Sequence, residues 1–328
     1  MGVNGVFAPL KKTPTIARQK KWALAMLIAQ TGILVSGSIV RVTGSGLGCI
    51  TWPECHPGSL VPVAGAAPLV HQAIEFGNRL LTFVLAGIAI GLFVSVLRSK
   101  RRRMIIVLAL IQGLGIVVQA ILGAISVKLQ LAWWTVAMHF LPSMVLVWLA
   151  AVLWVRIGEP DDGTRVRAYP RTLAVLAAVS GAALAMVLIT GTMVTGAGRH
   201  AGDAVAAEEG RLQLDLAYIA QIHAHFMYLY LGMTIGLLFG LYTINASTRV
   251  RKQGLWLIAM IVVQAAIGII QYNFGIPRWT VPVHVGLSGV VCGLTAIVWA
   301  MAHTTTGGGT WRTGSRSGDA RLSAGRVH

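Results

Sequence analysis

Apolar residues run along this chain in eight long stretches, at about 22–42, 71–97, 104–127, 132–156, 172–194, 213–244, 255–273 and 279–302. Each is close to the roughly 20 residues that a helix needs to cross a bilayer. The pattern predicts eight membrane helices, the first long enough to be retained and not cleaved as a signal peptide. A polar stretch with two prolines, GEPDDGTRVRAYPR at 158–171, divides the eight into four and four. After residue 302 the chain turns rich in Gly, Thr, Ser and Arg, a composition that predicts disorder.

The two groups of four repeat one another. Residues 133–139 read WWTVAMH and 278–284 read RWTVPVH, so that Trp134, Thr135, Val136 and His139 recur as Trp279, Thr280, Val281 and His284, 145 positions later. At the same shift IVVQAILG (116–123) recurs as IVVQAAIG (261–268). Two blocks at one spacing indicate duplication. Four crossings restore the starting orientation, so the repeat is parallel. The first and fifth spans also end alike, SGSIVRVTGSG at 36–46 against TGTMVTGAG at 190–198. The expected fold is an all-α membrane protein of two tandem four-helix bundles related by pseudo-two-fold symmetry. Its parts are an N-terminal segment (1–21), the two halves (22–157 and 172–302), the linker (158–171) and a disordered tail (303–328).

Composition agrees: 55% of residues are hydrophobic and 11% charged, with a mean hydropathy of +0.72. The net charge of +17 suggests a nucleic-acid partner only until its placement is considered. Most Lys and Arg fall before the first span, after the second, between the fourth and fifth, between the sixth and seventh, and after the eighth. That is the positive-inside pattern of a multi-pass plasma-membrane protein with both termini cytoplasmic and no nucleic-acid role. Of three cysteines, Cys49 and Cys55 share the first outward loop, where a pair can close a disulfide. Cys292, inside an apolar helix, reads as a packing residue.

Ionisable residues within apolar spans are costly, by at least ~2.5–3.5 kcal/mol at the bilayer centre, and each needs a reason. The second span opens HQAIEFGNRLLT, placing His71, Glu75, Asn78 and Thr82 on one helix face with Arg79 four residues after Glu75. The 145-residue shift carries Asn78 onto His223. The polar layer is thus Glu75, Asn78 and His139 in the first half and His223 and His284 in the second, about 7–12 Å inside the outer face. Two histidines on facing helices are a means of holding a heme iron, although a membrane histidine also serves as a plain helix–helix hydrogen-bond partner. His225 lies about 200° around the helix from His223 and cannot face the same iron. Glu75 with Arg79 also has a bland reading, a buried structural ion pair. His56, His200, His303 and His328 read as solvated, and Trp52, Trp133 and Trp134 as interfacial anchors.

The combination TGSGLGC…WPEC, IEFGNR and duplicated four-helix halves resembles the heme A synthase family, over residues 22–302. The resemblance implies oxidation of the C8 methyl of heme O to a formyl group by a membrane enzyme with a heme b cofactor. It implies that His223 and His284 hold that cofactor, that the first half takes the heme O substrate with His139, and that Glu75 is catalytic. It also implies a Cys49–Cys55 disulfide, an electron donor of unknown identity, and heme O synthase and cytochrome oxidase assembly factors as partners beside membrane lipid; a homo-oligomer is compatible with it. Many members have histidine where this chain has Asn78, and asparagine is a poor iron ligand. The substrate heme is then held by His139 alone, near Arg79, or with His71 standing in. Two rival classes are a repeat-built transporter and a membrane di-heme electron carrier. The first would put its polar layer at the midplane, and the second would put histidine pairs at both faces.

Overall fold

The computed structural model describes residues 13–200 and 210–307. Its helices are α1 (Ile16–Val42), α2 (Leu69–Arg98), α3 (Arg103–Lys128), α4 (Trp133–Ile157), α5 (Arg171–Ala197), α6 (Leu216–Thr243), α7 (Thr248–Asn273) and α8 (Thr280–Ala300). All eight are long and apolar enough to cross a membrane, and the chain is a multi-pass membrane protein. Large side chains such as Ile28, Ile90 and Phe239 stand outward, as a bilayer solvent permits.

Six helices match the hydropathy stretches within about three residues, and α1 and α7 start earlier than hydropathy indicates. Backbone hydrogen bonding does not stop where the side chains turn polar. Thr15 caps α1 by accepting from the Arg18 amide at 3.2 Å, and Lys20 lies 4.6 Å from the Trp154 ring. Part of the expected N-terminal segment is therefore helix. The basic start of α7, with Arg249, Arg251 and Lys252, is likewise helical.

Neighbour relations close two rings, α1–α2–α3–α4 and α5–α6–α7–α8. The rings meet where α8 packs on α1 and α4, and α4 on α5. Small residues allow this: a Cβ at Gly286 would stand 2.9 Å from Val35, and one at Gly289 2.9 Å from Thr31. Trp148 and Trp299 pack across the seam with centroids 5.7 Å apart. Cys292 is buried beside the Met144 carbonyl, in keeping with a packing role.

One termination device recurs. Helices α1, α2, α3, α6 and α7 each end on a residue with left-handed backbone, at Gly44, Lys100, Gln130, Asn245 and Gly275. The next amide then reaches back five residues in the helix-closing pattern, as Leu131 N donates to Ser126 O at 2.8 Å and Ile276 N to Gln271 O at 2.8 Å. Lys100 and Asn245, Gln130 and Gly275, and Leu131 and Ile276 are each 145 positions apart, so the repeat extends to the backbone of the turns.

The linker and the chain after α8 depart from expectation. Thr164–Arg167 (β1) pairs antiparallel with His303–Thr306 (β2), Thr164 opposite Thr306 and Arg167 opposite His303. The run of threonines suits a strand, and Arg156 fixes its start by donating to the carbonyls of Ala300 (2.9 Å) and His303 (2.7 Å). Glu159 takes both Arg156 and Arg102 at 2.5 Å. The first residues of the expected disordered tail are thus ordered, and residues 308–328 lie outside the described residues.

A non-glycine residue in left-handed conformation costs about 1–2 kcal/mol. Gln130→Gly therefore raises the stability of the purified protein by about 1 kcal/mol, read as a higher thermal midpoint in detergent; a lower midpoint contradicts the strain.

Candidate functional site

A cavity of about 1490 Å³ opens between the helices, exceeding the ~300–1,000 Å³ of an ordinary small-molecule pocket. Every helix contributes to its wall, and Trp52 and Pro53 of the first long loop place it toward that end of the bundle. Glu75, Asn78, Arg79, Thr82, His139, His223 and His284 all line it. The sequence-predicted polar layer therefore converges on one space, except for His71.

Each of the three imidazoles lies against a glycine of the preceding helix. A Cβ would meet His139 Cε1 at 3.5 Å from Gly123, His223 Cε1 at 3.3 Å from Gly191, and His284 Cε1 at 3.2 Å from Gly268. The absent side chains let the rings lie on backbone. Behind His223, the Val187 carbonyl stands 3.0 Å and the Thr190 hydroxyl 3.2 Å from Nδ1. A proton on Nδ1 donated to that carbonyl leaves the lone pair on Nε2, the tautomer that a metal ligand needs. His284 Nδ1 is sealed from solvent without a partner, as is Gln264 Oε1, while Gln264 Nε2 donates to the His284 carbonyl at 3.0 Å. The repeat equivalent, Gln119, places its amide 3.0 Å from His139 Nδ1 and 2.9 Å from the His139 carbonyl oxygen. No three His, Cys, Asp or Glu side chains among the described residues converge as a bare metal site. Imidazoles spaced around a large cavity are residues that could hold a porphyrin iron.

Asn78 occupies the place of His223 in the first half, and its Oδ1 accepts from Ser36 Oγ at 2.7 Å. Ser36 in turn corresponds to Thr190, so the hydroxyl–side-chain pair is retained while the imidazole is not. His71 faces elsewhere. Its Nδ1 stands 3.1 Å from the Gly44 carbonyl, outside the cavity lining.

Glu75 and Arg79 hold the first long loop. Glu75 Oε2 accepts from the Cys49 amide at 2.7 Å and Oε1 from Arg79 at 2.6 Å. Arg79 also donates to the carbonyls of Cys49 (3.0 Å), Thr51 (3.0 Å) and Glu54 (3.2 Å). Cys49 and Cys55 form a disulfide within this loop, both fully buried. A Cβ at Gly48 would fall 2.6 Å from the His71 carbonyl, so the TGSGLGC run is a backbone seat on the start of α2. The ion pair therefore anchors the loop, and it also places a carboxylate at the cavity wall.

Comparison with known proteins bears on this geometry. Residues 20–298 match the COX15-CtaA family, described as cytochrome oxidase assembly protein. The chain belongs to this family. Relatives named heme A synthase include those of Listeria welshimeri, 31% identical over 144 residues, and Lysinibacillus sphaericus, 33% identical over 142. A third, from Exiguobacterium sp., is 31% identical over 134 residues. The three matches cover 43%, 42% and 39% of this chain and 46%, 43% and 42% of the relatives, so each spans less than half of the curated relative's length.

Of the other histidines and tryptophans of this cytochrome oxidase assembly family member, His56 and His200 sit differently from their expected places. His56 is buried, with Nε2 3.0 Å from Gln72 Oε1, because the loop folds back on α2. His200 is half-buried, lines the cavity and stands 2.9 Å from the Ile276 carbonyl. His303 opens β2, and His328 lies outside the described residues. Trp133 is a cavity wall residue whose Cβ would touch a side chain at Gly196, and Trp52 lines the cavity as well. His225 is exposed and outside the cavity lining. Gln119, Gln264 and the three glycines belong to the site without being among the residues expected from the sequence. Their signal was available, since Gln119 with Gly123 and Gln264 with Gly268 lie in the repeated IVVQ blocks.

Arg79→Ala removes the side-chain donor that α2 gives the carbonyls of Cys49, Thr51 and Glu54. Reduction of Cys49–Cys55 by a small dithiol, trapped by alkylation, then speeds up roughly tenfold or more. An unchanged rate would show that the loop closes without this clamp.

Proposed function

We propose that this chain is a heme A synthase, oxidising the C8 methyl of heme O to a formyl group in the plasma membrane, with both termini cytoplasmic. The observation that carries this reading is the matched pair His223 and His284. They line one cavity from α6 and α8, each ring seated on a glycine, with His223 held by the Val187 carbonyl in the ligand tautomer. These residues fit a b-type heme cofactor. The curated relatives named heme A synthase support the same activity, as does the repeat, read here as two bundles about a pseudo-two-fold axis.

In the first half, His139 is the single imidazole offered to heme O. Asn78 is tied to Ser36 and His71 to the Gly44 carbonyl, so neither competes for the iron. Bound heme supplies the redox chemistry. The chain's own residues bind, orient and exclude water. Glu75 keeps a carboxylate at the cavity wall, fixed by Arg79 and the Cys49 amide, where it accepts a proton as the methyl group is oxidised. The apolar walls receive the uncharged part of the macrocycle. Heme O synthase, oxidase assembly factors and an electron donor of unknown identity are the partners this reaction requires.

Co-expression with a heme O synthase tests the proposal. Extracted hemes should contain heme A together with heme b, whereas heme b alone, or no heme, would overturn it. Glu75→Gln retains heme b but lowers heme A yield by roughly a hundredfold or more, with heme O or its alcohol accumulating. A normal yield from that variant removes Glu75 from the chemistry.

A further inference from the structure

The loop end of the cavity carries positive charge that the described residues do not neutralise. Arg41, in the last turn of α1, is half-buried and lines the cavity. One terminal nitrogen donates to the Thr195 carbonyl near the end of α5 at 3.0 Å, which aims the guanidinium across the seam between the two rings. Its Nε is sealed from solvent and has no hydrogen-bond partner among the described residues. It also feels the positive charge of Arg211, whose Nε is sealed in the same way. Arg199 also lines the cavity, and Arg211, behind it, donates to the Arg199 carbonyl at 3.0 Å.

The described carboxylates that line the cavity have other tasks. Glu75 is taken by Arg79 and the Cys49 amide, and Asp215 caps α6 by accepting from the Tyr218 amide at 2.7 Å. Asp203, Glu208 and Glu209 lie outside the described residues. A guanidinium facing an apolar space is costly unless an anion joins it. Its planar fork of donors suits a carboxylate better than any neutral group.

We propose that Arg41, backed by Arg199 and Arg211, is the carboxylate subsite of this cavity, taking the propionate edge of a porphyrin ligand and turning it toward the disulfide-loop end. The uncharged edge then lies against the apolar wall deeper in the bundle. This assignment rests on the reading of the cavity as a porphyrin site.

Full-length apoprotein in detergent, titrated with ferric protoporphyrin IX and with its dimethyl ester and followed by Soret absorption, tests it. Wild-type protein binds the diacid roughly ten- to a hundredfold more tightly than the diester. Arg41→Gln binds the diester as wild type does, which shows that it is folded, and loses the preference. Should Arg41→Gln bind neither, Arg41→Lys decides, because loss of the bidentate fork lowers the preference without abolishing it. An undiminished preference in either variant overturns the proposal, as does a wild-type protein that binds both porphyrins equally. A wild type that binds neither porphyrin removes the heme reading and this inference together.

Discussion

Lipid offers no hydrogen bonds, so every polar atom that these helices turn inward needs a partner within the protein or on a ligand. Much of the bundle obeys this with protein alone. Gln30 donates to Gln112 at 3.1 Å, Tyr230 donates to the Thr295 hydroxyl at 2.6 Å, and Tyr169 donates to the Val298 carbonyl at 2.7 Å. Around the cavity the rule is left open. His284 Nδ1, Gln264 Oε1 and Arg41 Nε are sealed and unpartnered among the described residues, and all three residues line that one space. Ser95 Oγ, Ser180 Oγ and the Nε atoms of Arg102 and Arg211 are sealed in the same way away from it, so what sets the cavity apart is its imidazoles and guanidinium rather than unpartnered atoms alone.

The fold brings these groups together through the turns and the glycines. Left-handed closures at Lys100, Gln130, Asn245 and Gly275 let consecutive helices run antiparallel over short connections, so polar positions near one end of each helix come to a common level. Gly123, Gly191 and Gly268 then let each imidazole lie on its neighbour's backbone. The disulfide loop completes the site from outside the helices. It is fastened to α2 by the same Glu75 and Arg79 that line the cavity, so the proposed chemistry and the seating of the loop share residues.

Much of this could be read in the sequence, and the reason is duplication. A shift of 145 residues that preserves Gln, Gly and His within apolar runs identifies positions that packing alone does not require, and it picked His223 over His225. Element ends were harder. Hydropathy marks where lipid begins, whereas helices stop where a cap or a left-handed residue stops them, so α1 and α7 extend into basic sequence. The pairing of β1 with β2 escaped because a strand partner more than a hundred residues away leaves no local trace. His56 was read as solvated because burial inside a loop depends on how the loop folds back. Arg41 lies within the 36–46 segment, yet only the fold shows that it lines the cavity and reaches the Thr195 carbonyl of α5.

The most direct test of the central claim is electron paramagnetic resonance of the ferric protein as purified, with His223→Ala and His284→Ala alongside. A shared iron predicts a low-spin, two-imidazole signal in the wild type that is lost in each variant. A low-spin signal surviving unchanged in either variant would contradict it.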